Sequence, residues 1–275
     1  VLKYNLVYFP IFAAKRSFMK FRYFLLFVFI LCSATGHSLF AQGYRIKTIV
    51  IDAGHGGVKP GAIGKFSSEK NVALAVALKL GKRIEAELPG IKVIQTRKTD
   101  VDVDWYRRAE IANDAKADIF ISIHCNSMPK GNSTTRGTET FVGAYRRINE
   151  MDAGLRENAE IMNDKNYKKK EEAIITDPEE LIKLSMYKAL YRAKSLSLAK
   201  LVQKNYTTLN KRVNRGVKEQ GLLVLQRAAM PSILTEIGFI SNPEEEKYMN
   251  SAEGQEEIVN AIFKAIEEYK KEVEN

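Results

Sequence analysis

Two apolar runs in this chain break off into histidine. Residues 49–57 read Ile-Val-Ile-Asp-Ala-Gly-His-Gly-Gly, and residues 118–124 read Asp-Ile-Phe-Ile-Ser-Ile-His. Between them Glu69 follows Ser67-Ser68 at the head of a long apolar stretch. The chain has three histidines, and one of them, His37, falls in a segment read below as removable. Two imidazoles at strand ends and a carboxylate in the first turn of a helix make a set of three nitrogen and oxygen donors. Zinc with an open coordination position takes three such protein ligands. His55, Glu69 and His124 are therefore the candidate ligands of one Zn2+ per chain. The glycines around His55 allow the sharp turn that would face its ring into a cleft. Taken singly, either histidine reads as a hydrogen-bonded structural residue and Glu69 as a helix-dipole partner. Together they favour a metal.

A fourth group of interest is Glu236, in Met230-Pro-Ser-Ile-Leu-Thr-Glu-Ile-Gly-Phe-Ile-Ser-Asn-Pro243. Strand alternation puts Leu234 and Glu236 on one face and Ile233 and Thr235 on the other. A carboxylate on an apolar strand is costly to bury unless paired or placed beside a metal. Beside a metal it has the chemistry of a general base and then a general acid. The competing reading is a salt bridge to Arg107 or Arg108. Asp52 is expected to cap its loop or to accept a hydrogen bond from an imidazole, fixing the tautomer. Cys125 reads as a small buried hydrophobe. Asn126, just past His124, is a candidate substrate-binding residue and equally a loop residue. Gly54-His55-Gly56-Gly57 has neither the Gly-Lys-Ser/Thr ending nor the spacing of a phosphate loop.

These residues need elements to position them. Strands are expected over 45–52, 91–96, 118–124, 138–142, 222–226 and 232–237. Helices are expected over 69–88, 104–116, 195–209 and 252–273, with Asp104 as an N-cap. Apolar strands alternating with helices predict an α/β fold. Its mostly parallel central sheet is flanked by helices on both faces. Residues 144–194 break the rhythm with Lys, Glu, Arg and Asn. They read as a helical surface insertion, with helices over 152–162 and 178–192.

The first 41 residues are excluded from this fold. Met19-Lys20-Phe21-Arg22 and the ten apolar residues from Tyr23 to Cys32 have the form of a signal segment. That run is too short to span a bilayer. An uncleaved anchor is the alternative. The catalytic domain is then 42–275, exported to the periplasm or cell envelope, with no stable membrane span after cleavage. The leader carries five Lys/Arg and no acid, so its removal lowers the net charge from +10 to +5. The remainder suits an anionic partner, and no basic stripe interleaved with aromatics points to nucleic acid. Cys125 alone remains, which excludes an internal disulfide.

In order and completeness, the segments resemble the zinc-dependent N-acetylmuramoyl-L-alanine amidases, the type 3 family of bacterial cell-wall hydrolases. The carrying segments are Ile51-Asp-Ala-Gly-His-Gly-Gly, Gly61-Ala-Ile-Gly, Glu69-Lys70, Thr96-Arg97, Arg108-Ala-Glu-Ile-Ala-Asn113, Ile121-Ser-Ile-His-Cys-Asn126 and Pro231 to Pro243. The resemblance implies His55, Glu69 and His124 as zinc ligands, Glu236 as the catalytic carboxylate and peptidoglycan as substrate. Lys59, Cys125 and Trp105-Tyr106 depart from the usual pattern, at positions bearing on substrate preference rather than on the ligands. Arg156-Glu157-Asn158 resembles the start of the insertion in cell-division amidases. There a glutamate covers the zinc until a protein activator displaces it. Glu157 and Glu160 are the first candidates for that role here. Two rival functions stay open on the ligand set alone: a zinc peptidase or deacetylase of another envelope substrate, and a non-catalytic wall-binding protein.

Overall fold

Apolar runs that are buried on both faces become the centre of a sheet. The computed structural model describes residues 44–129, 134–144, 156–158, 162 and 177–275. Its strands are β1 (Thr48–Ala53), β2 (Lys92–Gln95), β3 (Ile119–Asn126), β4 (Thr138–Gly143), β5 (Asn214–Gln220) and β6 (Ser232–Phe239). They form one sheet in the order β2-β1-β3-β6-β4-β5. All neighbours are parallel except β4 and β6. The helices are α1 (Glu69–Glu87), α2 (Trp105–Asp114), α3 (Pro178–Thr208), α4 (Leu223–Gln226), α5 (Pro243–Asn250) and α6 (Ala252–Glu274).

Strand alternation divides the core into two layers. Ile49, Ile51, Ile121, Ile123, Cys125 and Ile233 face α1, the second half of α3 and α6. Val50, Phe120, Phe141 and Leu234 face α2 and α4. Ser122, His124 and Glu236 lie on this second face, by register with Asp52 and Leu234. From β1 the chain passes to β2 on one side and then returns to β3 on the other. The switch between β1 and β3 opens a crevice at their carboxyl ends, the usual place for a site in such sheets. His55 and His124 stand there.

The sheet and the helices on both its faces match the expected fold class. Several local expectations are corrected. Residues 178–192 and 195–209 are one helix, α3; nothing between them can break it, since 179–208 holds neither Gly nor Pro. The expected insertion boundary at 194 therefore falls inside a continuous helix. Residues 222–226, expected as a strand, form the short helix α4. The edge strand is instead the polar run Asn214–Gln220. Asp104 stands at the N-cap of α2, but its side chain makes no capping bond and accepts from the Tyr106 hydroxyl at 2.8 Å. Residues 156–158 and 162 are helical, inside the expected 152–162. The leader over 1–41 and the rest of that expected helix lie outside the described residues, as does Glu160. Among the described residues no helix is long and apolar enough to cross a membrane.

Candidate metal centre and cleft

The loop after β1 is made for close approach. A Cβ at Gly54 would lie 2.4 Å from the His124 ring, so only glycine fits there. His55 itself has φ +56, in the left-handed region that ordinary side chains avoid at a cost of about 1 kcal/mol. Two buried arginines hold the loop in that shape. Arg97 donates from Nε to Ala53 O at 3.0 Å and from Nη2 to Gly54 O at 2.8 Å. Arg108 donates to Ala53 O and to His55 O, both at 2.7 Å. Asp52, fully buried, accepts from Arg108 at 2.7 Å and from the hydroxyls of Thr96 and Ser122 at 2.6 Å. Burial alone would raise the Asp52 carboxyl, but Arg108 and the two hydroxyls outweigh it and hold it below its ordinary value. This replaces the expected bond from an imidazole: Asp52 orients an arginine clamp, not a histidine tautomer.

The three expected ligands meet. Glu69, from the first turn of α1, reaches His55 Nε2 at 3.2 Å with one oxygen and His124 Nδ1 at 2.9 Å with the other. Those oxygens also accept from Ala62 N at 2.8 Å and Cys125 N at 2.9 Å, which fixes the carboxylate. The imidazoles stand edge to face with centroids 4.9 Å apart. A fourth residue joins them. Glu157 places one oxygen 2.9 Å from His124 Nδ1 and 3.3 Å from His55 Nε2. Ligand atoms of His55, Glu69, His124 and Glu157 all lie within 4.8 Å of one another. Burial would lower His124, but the carboxylates of Glu157 and Glu69 overturn it and push the ring up to about 10. Two buried carboxylates converging on two imidazoles call for positive charge. This donor set of nitrogen and oxygen suits a zinc ion.

Residues 156–158 bring Glu157 in, and each of them is docked. Arg156 donates to Asn126 Oδ1. Asn158 donates to Gly221 O at 2.7 Å and accepts from Leu223 N at 3.1 Å. The cleft under this segment encloses about 490 Å³, walled by Val103, Trp105, Leu222 and Val224 with Lys59 and Arg108 at its edge. Asn126 also accepts from Ser127 N at 2.7 Å.

Glu236 is the register partner of His124 on the neighbouring strand. It is fully buried, and neither carboxyl oxygen has a hydrogen-bond partner among the described residues. Burial, with the Glu157 and Glu69 charges added, pushes its carboxyl well above the ordinary range. The alternative of a salt bridge is set aside: Arg108 belongs to Asp52, and Arg107 pairs on the surface with Glu110 and Asp114. Cys125 is a buried member of the opposite core layer, as expected. The arginine clamps were not assigned from the sequence. The signal for Arg97 was a cation closing an apolar strand at the edge where the site lies.

Fold and cluster together define an α/β domain with a histidine–carboxylate metal centre at the carboxyl ends of its parallel strands. A family model for N-acetylmuramoyl-L-alanine amidases matches residues 49–268, and the chain belongs to that family. Among its relatives are the amidase AmiA of Escherichia coli K12 and AmiC of E. coli O6:H1, each 30% identical. The match to AmiA covers 81% of this chain and 76% of that protein. The match to AmiC covers 82% of this chain but only 53% of AmiC, so the chain spans about half the length of that relative. Among solved structures, the catalytic domain of the amidase CwlV from Paenibacillus polymyxa is 26% identical with a TM-score of 0.61, covering 83% of this chain and 99% of that one. The amidase CwlD of Clostridioides difficile, solved in complex with the GerS lipoprotein, is 29% identical with a TM-score of 0.58, covering 82% and 98%.

Proposed function

We propose that this chain hydrolyses the amide joining the lactyl group of N-acetylmuramic acid to L-alanine in peptidoglycan. In this reading His55, Glu69 and His124 hold one zinc ion and Glu236 is the catalytic carboxylate. The observation that carries it is the convergence of the ligand atoms within 4.8 Å, one strand away from a buried carboxyl that lacks a partner. When bound, the ion supplies Lewis acidity towards the carbonyl and lowers the pKa of water towards about 7. Glu236 takes a proton from the attacking water and returns it to the departing alanine nitrogen. Its dry position suits both halves of that task, because a raised carboxyl pKa makes the acid form available near neutral pH. No covalent enzyme intermediate is required. Asn126 lies beside His124 and would donate its amide to the substrate once Arg156 has left.

Glu157 supports a regulated enzyme. A catalytic zinc site keeps one coordination position open, and the Glu157 carboxylate stands where that position would be. With residues 156–158 seated, the centre is closed to substrate and the protein is autoinhibited. An activator protein would favour the displaced state; the complex of the relative CwlD with a lipoprotein supports a protein partner. Glu160, a second candidate, falls outside the described residues. The segment 1–41 would export the chain to the cell envelope, where peptidoglycan lies.

The test is digestion of purified peptidoglycan with and without chelator, with the fragments identified by mass. New amino-terminal alanine, lost on chelation, supports the amidase. Released D-alanine or acetate would favour the peptidase or deacetylase. An inactive protein that still pellets with the wall would favour a binding role.

A further inference from the structure

Glu236 has a second charged neighbour, on the side away from His124. Glu139 of β4 is its antiparallel register partner, so both side chains leave the same face of the sheet. Glu139 is buried and accepts from Arg215 Nε at 2.7 Å on one oxygen and from Lys218 Nζ at 3.0 Å on the other. Arg215 and Lys218 are three residues apart on β5, and strict alternation would send them to opposite faces. A bulge removes the conflict. Thr138 pairs with Asn214 but Thr140 pairs with Val217, so β5 carries one extra residue between them. Gly216 stands inside it at φ +93, a conformation that glycine alone adopts freely. Bulges of this kind re-aim side chains and gather next to active sites.

The re-aimed pair exceeds what one carboxylate needs. Two cations serve a single carboxyl group, and both side chains remain partly open to solvent, at 36% for Arg215 and 27% for Lys218. The Arg215 guanidinium also lies over the Phe239 ring at 5.0 Å, which holds its plane. We propose that Arg215 and Lys218, positioned by Glu139, form an anion subsite of the catalytic cleft that binds a carboxylate of the peptidoglycan stem peptide. This rests on the amidase reading above. β5 lies two strands from β6, about 10 Å at ordinary strand spacing. An extended peptide covers about 3.3–3.6 Å per residue. The subsite therefore stands two to three residues from an amide held at Glu236, the reach of the second and third residues of the stem.

The experiment compares synthetic muramoyl tripeptides that differ only in whether the second- or third-residue carboxylate is free or amidated. Full-length protein with zinc, Arg215→Gln, Lys218→Gln and Arg215→Lys are assayed on each for kcat and KM. The unmodified protein is expected to favour the free acid at one of the two positions by about tenfold in KM, the worth of one charge-assisted hydrogen bond. Each glutamine variant should lose most of that preference, and Arg215→Lys should keep part of it. A purely structural ion cluster would not read the substrate's charge. Equal cleavage of acid and amide by the unmodified protein, or full preference in both glutamine variants, overturns the subsite and leaves the amidase reading standing. Failure to release an alanine-terminated peptide from every substrate overturns that reading and the subsite with it. If Arg215→Gln melts early, Lys218→Gln on the more peripheral cation carries the comparison.

Discussion

Asn158→Ala should switch the enzyme on. Asn158 makes two buried hydrogen bonds, one to Gly221 O and one from Leu223 N, that tie residues 156–158 across the cleft. Each neutral hydrogen bond contributes about 1 kcal/mol net. Losing both shifts the seated–released equilibrium by about 2 kcal/mol, or roughly 30-fold at about 1.4 kcal/mol per decade. While the released fraction is small, activity scales with it. Basal kcat/KM on dye-labelled peptidoglycan should therefore rise by about 30-fold, with less headroom for any activator. The alanine leaves Glu157 and the other candidate ligands in place, so zinc content should not change. A folded Asn158→Ala protein whose activity stays within about twofold of the parent would refute the reasoning, because the seated segment would then not limit access.

Other perturbations probe the parts separately. Glu236→Gln should retain zinc but lose on the order of 10²–10⁴ in kcat, the usual worth of a positioned general acid–base; near-normal turnover would remove Glu236 from the chemistry. Gly54→Ala drives a Cβ to 2.4 Å from the His124 ring, and should weaken metal retention measured by competition with a colorimetric chelator. Asp52→Asn leaves Arg108 buried without its carboxylate and should cost about 3–5 kcal/mol in denaturant unfolding. Because the folded Asp52 pKa lies below its model value of 3.8, its contribution is present above that pH and lost as pH falls through it towards the lower folded value. The Asn variant should therefore show a shallower loss of stability below about pH 4 than the parent, read from urea melts across that range.

The central strands were legible because their residues are buried on both faces and read as unbroken apolar runs. β1, β3 and β6 and the histidines that end them follow directly from that pattern. β5 was hidden because an edge strand with one solvated face has the composition of a loop; its Asn, Arg, Lys and Glu carry no apolar signal. Residues 222–226 misled in the opposite way: an apolar run of five suits a buried strand or a buried helical turn equally. The site was legible as residue types, with His55, Glu69 and His124 anticipated together. What sequence could not supply was register. That His124, Glu236 and Glu139 sit side by side on three strands depends on pairings set by tertiary packing, as does the choice of Asp52 rather than Glu236 as partner of Arg108.

The account rests on His55, Glu69 and His124 sharing one ion that the reaction needs. The direct measurement is metal content by elemental mass spectrometry on purified full-length protein, alongside activity, before and after chelation and for His124→Ala. One zinc per chain, lost together with alanine release in the variant and on chelation and restored with activity by added zinc, is the predicted result. Undiminished peptidoglycan cleavage by protein that carries no stoichiometric metal would contradict it.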